Sequence, residues 1–239
     1  MTAMTGYEPI KFVSTAAHSA ASKGTSDWPL FRTAEVYLNY AEAKAELGTL
    51  TKDDLLISID RIRDRAGMKG LDMAAANANP DPFLLACYPN VTKSENTGVI
   101  LEIRRERTIE LVMEGLRMWD MFRWKEGAQL VNETNPYYGI YFSGPGLYDM
   151  DGDGRNDLEL YVDKQTSSPA DGLTVLRIGS DIILSDMAEN RGYVVAWSTL
   201  KYTWNEERDY LWPIPADQRV LTGGLLTQNP GWTDSTDFD

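Results

Sequence analysis

Sulfur and imidazole are nearly missing from this chain: Cys87 is its only cysteine and His18 its only histidine in 239 residues. A lone cysteine cannot make an intramolecular disulfide or a cysteine metal cluster. A lone histidine cannot supply the paired Glu-x-x-His motifs of a di-iron carboxylate bundle. Nucleophile arrangements of the Ser-His and Cys-His kinds lose their usual support too. Positive charge is also scarce, with 23 Lys and Arg against 36 Asp and Glu, for a net charge of -13. A general nucleic-acid binder needs the opposite balance to displace phosphate counterions, so nucleic acid is not an expected partner. Long apolar runs are lacking as well. No stretch approaches the roughly 20 residues of a membrane-spanning helix, and the opening MTAMTGYEPIKF is too polar for a secretory signal. The chain is therefore read as carrying neither signal nor anchor of its own.

What is present is charge laid among large apolar side chains. Residues 100–124 read ILEIRRERTIELVMEGLRMWDMFRW, and the spacing predicts one continuous helix to about Lys125, with Gly127 past its end. At the helical repeat Leu101, Thr108, Ile109, Val112, Leu116 and Trp119 form one stripe; Ile100, Leu111, Met118 and Phe122 form a second beside it. Glu102, Glu106, Glu110 and Glu114 recur every four residues, with Arg105, Arg107 and Arg117 at offsets that reach them, which predicts a salt-bridge ladder within the helix. A glycosidase needs two carboxylates set apart as acid and nucleophile. Nothing in this spacing sets two apart.

Four segments follow from composition: an irregular lead-in over 1–31, a helical core over 32–131, an irregular insertion with short strands over 132–203, and a strap over 204–239. In RTAEVYLNYAEAKAELG, Tyr37, Tyr40, Ala41, Lys44 and Leu47 share a predicted face and Gly48 is the stop. Thr51 with Asp54 looks like a cap for LLISIDRIRDRAG, where Leu55, Ile59, Ile62 and Ala66 line one side and Gly67 closes the helix. The two predicted helices form a hairpin of about one tetratricopeptide period. Residues 68–98 read as loop with one short helix near 83–86. Residues 158–162 and 173–178 read as strands, and Pro213 and Pro215 mark the strap as irregular.

Taken in order, RTAEVYLNYAEAKAELG, RIRDRAG, RRERTIELVMEGLRMWDMFRW and YLWPIPADQRVLTGGLLTQNPGW resemble the C-terminal part of the SusD/RagB family of outer-membrane nutrient-binding lipoproteins from Bacteroidetes. The resemblance implies a mainly α SusD-like fold with a tetratricopeptide-like helical hairpin. It also implies a non-catalytic role at the cell surface, where oligosaccharide or a related nutrient is passed to a TonB-dependent transporter of the SusC type. Membrane association would run through an N-terminal lipid anchor that this chain does not carry, and the N-terminal helical half is likewise absent from it. Arg105, Glu106, Glu114, Gly115, Arg117, Asp120, Arg123 and Trp124 read as scaffold, with no catalytic role.

Sugar binding needs aromatic ring faces with hydrogen-bonding groups at their rim. The insertion offers Tyr137, Tyr138, Tyr141 and Trp197, and Trp204 follows it; these five rings are the candidate ligand surface, with Asn135, Asp149, Asn205 and Glu206 as polar neighbours. The run DMDGDGRNDLEL places Asp149, Asp151, Asp153, Arg155 and Asp157 at calcium-loop positions 1, 3, 5, 7 and 9, with Gly154 at the turn. Position 12 is Leu160 where a bidentate Glu is expected. Calcium is thus a candidate ligand but no required cofactor, and a polar hairpin turn is the other reading. Two further functions remain open: a carbohydrate-active hydrolase, and a helical scaffold that binds only protein.

Overall fold

A computed structural model describes residues 5–7, 11–12, 24, 29–131, 138–168, 172–197 and 201–233. The chain divides into two compact units, one of residues 1–13 and 133–202 and one of residues 14–132 and 203–239. His18, Asn135 and Tyr137 lie outside the described residues.

The second unit is helical. Helix α1, Thr33–Glu46, buries Ala34, Leu38, Ala41 and Ala45, and these mostly small side chains let it lie close against α6. The predicted face was off by a position: Tyr40 is 38% exposed and Leu47 75%. Helices α2, Lys52–Ile57, and α3, Ile59–Arg65, replace the single second helix, with a break at Ser58. Thr51 and Asp54 do form a capping box; of the predicted face Leu55, Ile59 and Ile62 are buried, while Ala66 is exposed. Gly48 and Gly67 take the left-handed conformation. Around them Thr49 N–H reaches the Lys44 carbonyl and Met68 N–H that of Arg63, as a Schellman ending requires. Two short helices, α4 (Met73–Ala78) and α5 (Pro82–Cys87), occupy the region read as loop with one helix.

The predicted continuous helix is two: α6, Thr97–Glu110, and α7, Arg117–Trp124. Met113 and Gly115 between them both have positive φ. The reason lies in Arg107 and Asp120, whose Nε and Oδ2 sit 2.7 Å apart. Residues this far apart in one helix would be separated by about 20 Å along its axis. The break leaves Ile109, Val112, Met118 and Trp119 at least 46% exposed, so the predicted stripes hold only at Ile100, Leu101 and Leu111, which are buried. Val99 and Ile103, outside both stripes, are buried beside them.

Charges of this tract mostly tie elements together rather than forming a ladder. Glu106 pairs with Arg63, Glu110 and Glu114 with Arg32, and Arg123 with Glu42. Of the predicted partners, Arg105 and Glu102 do pair along the helix, at 3.3 Å. Arg117 instead donates to Thr108 and Tyr88. Helix α7 ends on Lys125 in the left-handed conformation, not on Gly127, which opens α8, Gly127–Leu130. The strap carries α9, Ala216–Leu221.

The first unit is built of strands, so sheet stands beside the helices of the mainly α fold that the resemblance implies. Strand β1 (Tyr138–Phe142) pairs antiparallel with β6 (Arg191–Val195), which pairs antiparallel with β5 (Leu184–Asp186). Strand β2 (Gly146–Tyr148) forms a hairpin with β3 (Leu158–Tyr161), and β4 (Thr174–Arg177) joins β3 in parallel. The strands expected at 158–162 and 173–178 are therefore β3 and β4. Phe142, Leu158, Leu160, Ile178, Leu184 and Val194 make this unit's own core.

Candidate functional site

Alternation in β1 and β6 turns Phe142 and Val194 into the core and leaves rings on the other face. Tyr138 and Tyr141, three residues apart, would ordinarily face opposite sides. An irregularity in the β1–β6 register falls between them, and such a bulge restores them to one face. Tyr193 stands between them: its ring stacks on Tyr138 at 5.4 Å with 25° between planes, and meets Tyr141 at 5.2 Å and 70°. Each of the three is about half exposed, at 49%, 51% and 46% for Tyr138, Tyr141 and Tyr193.

The rim of this face is polar. Arg191 lies two residues before Tyr193, hence on the same side of the strand, and its Nε is 3.4 Å from Asp186. Both side chains are more than 40% exposed, so their charge-bearing atoms stay open to a ligand. Trp197, 41% exposed, follows two residues after Val195, the register partner of Tyr138. The face can offer ring surfaces to the C–H side of a sugar and a guanidinium and carboxylate to its hydroxyls.

Trp204 belongs to the helical unit. It packs on Phe122 at 6.0 Å and Tyr210 at 5.0 Å, and a Cβ at Gly127 would come within 2.0 Å of its ring. That contact explains the glycine at the start of α8. Asn205 and Glu206 are occupied nearby: the Asn205 side chain accepts from Glu207 N–H, and Glu206 from Ala128 N–H and the Tyr210 hydroxyl.

The acidic run is the loop of the β2–β3 hairpin, as the turn reading expected. Asp149, Asp151 and Asp153 each present an oxygen within 4.8 Å of the others, all exposed. Backbone N–H groups of Gly154 and Gly152 hold the Asp149 carboxyl below its ordinary range. Asp151 and Asp153 accept from the backbone two residues on, the latter from Arg155 N–H, while Asp157 accepts from Met150 N–H outside the trio. Glu159 is committed to Thr166 and Ser167, whose donors depress its carboxyl well below the usual range. Leu160 at position 12 is in the core. Three carboxylates suit a hard cation, but a calcium ion takes 6–8 oxygens and would need water for the remainder.

A model of the SusD family matches residues 1–232. The chain belongs to the SusD family. Among solved structures, this SusD family chain is similar to a SusD-like protein from Bacteroides fragilis, at 22% identity and a TM-score of 0.46. The match covers 86% of this chain and 26% of that one, so the SusD family chain described here spans about a quarter of that protein's length. No curated protein matches it. No helix among its described residues is long and apolar enough to cross a membrane.

Tyr193 escaped the sequence reading because RGYVV holds one aromatic among small and β-branched residues. Its signal was the strict alternation of that strand, which puts Tyr193 opposite the buried Gly192 and Val194.

Proposed function

We propose that this chain is a non-catalytic, glycan- or nutrient-binding part of an outer-membrane uptake system. In this reading it presents oligosaccharide to a TonB-dependent transporter of the SusC type, at the cell surface. The observation that carries the ligand surface is the row of half-exposed rings Tyr138, Tyr193 and Tyr141 on one sheet face, flanked by Arg191 and Asp186. Membership of the SusD family supports the uptake role.

Calorimetric titration with a panel of defined oligosaccharides tests this. Tyr141→Ala and Tyr193→Ala are expected to weaken binding about ten-fold each, from lost ring contact, with little change in melting temperature. Unaltered affinity in both variants removes the tyrosine face as the site. Release of reducing ends from the panel would identify a hydrolase instead, and co-purification with the transporter in the absence of any sugar binding would identify a protein-only scaffold.

The loop of Asp149, Asp151 and Asp153 is proposed as a weak calcium site completed by water. Calcium is then expected to raise the melting temperature and Asp151→Ala to abolish the rise. A melt that ignores both calcium and EDTA leaves only the hairpin turn.

A further inference from the structure

Helices α1 and α7 border a groove of about 520 Å³ in the helical unit, within the roughly 300–1,000 Å³ typical of small-ligand sites. Glu35, Asn39, Glu42 and Glu46 line it from one side of α1. From α7 comes Trp119, 57% exposed, with Arg123 one turn further on.

Arg107 of α6 also lines the groove, with its side chain only 5% exposed. Its Nε donates to both oxygens of Asp120 and its Nη1 to the Asn39 carbonyl oxygen. Nη2 has no acceptor among the described residues, yet it is not sealed from solvent. Its Nη2 donors are therefore open to water or to an acceptor on a ligand in the groove.

The remaining groups define what that acceptor belongs to. Asn39 gives its oxygen to Arg107, so its amide N–H groups are available to the groove. Arg123 is neutralised by Glu42 at 2.6 Å and Arg107 by Asp120. Glu35 and Glu46 then stand as carboxylates at the rim, the latter 3.5 Å from Arg104. Excess negative charge disfavours an anionic ligand. Hydroxyl groups can accept from Arg107 and Asn39 and donate to Glu35 and Glu46, while the C–H face of a pyranose meets the Trp119 indole.

We propose that the groove between α1 and α7 is a second ligand site, for a neutral oligosaccharide. It is independent of the tyrosine face. By contrast, the recess of about 180 Å³ beside Trp204 and Trp212 is lined almost wholly by apolar side chains, with Asp209 as its one charged residue.

The test is titration of the full chain carrying Tyr138→Ala, Tyr141→Ala and Tyr193→Ala together, which removes all three rings of the first site, with neutral gluco-, manno- and xylo-hexaoses and with a hexagalacturonate. At least one neutral hexaose is expected to bind, the uronate is not, and tryptophan fluorescence should shift on binding. Adding Trp119→Ala should weaken that binding about ten-fold at an unchanged melting temperature, and Trp119→Phe should restore part of it. Glu35→Gln, on an exposed helix turn, should spare the fold and let the uronate compete. The proposal is overturned if no neutral hexaose binds at about 10 mM, if Trp119→Ala binds as well as its parent, or if the uronate binds best. Loss of all binding with the three tyrosine substitutions alone overturns it too and leaves the tyrosine face as the site.

Discussion

Replacing Glu126 by glutamine should change how stability depends on pH. The Glu126 side chain is fully buried. One carboxylate oxygen accepts from Asn90 N–H at 2.9 Å and lies 3.5 Å from Arg104 Nη1, while the other has no partner. Burial raises its pKa from 4.5 to about 7, against the opposing pull of Asn90 N–H, Arg104 and Lys93. A carboxyl with a raised folded-state pKa favours folding most when protonated in the native state. Its contribution is full below about 4.5 and is lost as pH rises through about 7. At 1.36 kcal/mol per unit, the whole swing is at most about 3 kcal/mol. Urea melts at pH 5, 6, 7 and 8 should therefore show Glu126→Gln close to the parent at pH 5 and more stable at pH 8 by up to about 3 kcal/mol. The competing effect is the charge left on Arg104. That guanidinium keeps Glu46 at 3.5 Å and lies 4.5 Å over the Trp124 ring, so it is not abandoned. If the pair were essential, the variant would lose roughly 3–5 kcal/mol at pH 8. Such a loss, with the pH slope unaltered, would refute the reasoning.

Glu114 holds Arg32 through Nε at 3.0 Å and Nη2 at 2.6 Å, with side chains 11% and 25% exposed; Glu114→Ala should cost about 2–3 kcal/mol in denaturant melts, and a loss under about 0.5 kcal/mol would mark the pair as a surface one. Gly127→Ala should cost at least about 2 kcal/mol, because the new methyl meets the Trp204 ring. A near-native melt for that variant would mean that Trp204 swings aside freely.

Helix ends and local caps were legible in the sequence. Gly48, Gly67 and the Thr51–Asp54 box act through neighbours in the chain, and such signals need no tertiary context. The break between α6 and α7 was not legible, since Glu and Met are good helix formers and the ion pair that rewards it forms only after the chain has turned. Charge partners failed for the same reason. Glu114 had an arginine three residues on, yet its partner is Arg32. The strands at 158–161 and 174–177 could be read, while β5 is only three residues long and the alternation of β6 in RGYVV went unread. Of the candidate rings, Tyr138 and Tyr141 come together, Trp197 follows the same sheet, and Trp204 belongs to the other unit.

Long-range ion pairs have a consequence for synthesis on the ribosome. Glu42 on α1 accepts from Arg123 and from the Trp124 indole, partners 81 and 82 residues later in the chain. At roughly 5–20 residues per second, α1 emerges about 4–16 seconds before them. Throughout that interval Glu42 has no native counter-charge, and the apolar side of α1 has no α6 to cover it. Final closure waits longer still, because Trp204 and Tyr210, which pack on Phe122, are made only after the whole strand unit. Synthesis of the helical unit thus brackets residues 133–202 of the strand unit, so a nascent chain halted in residues 133–202 would expose an unfinished helical core to chaperones and proteases.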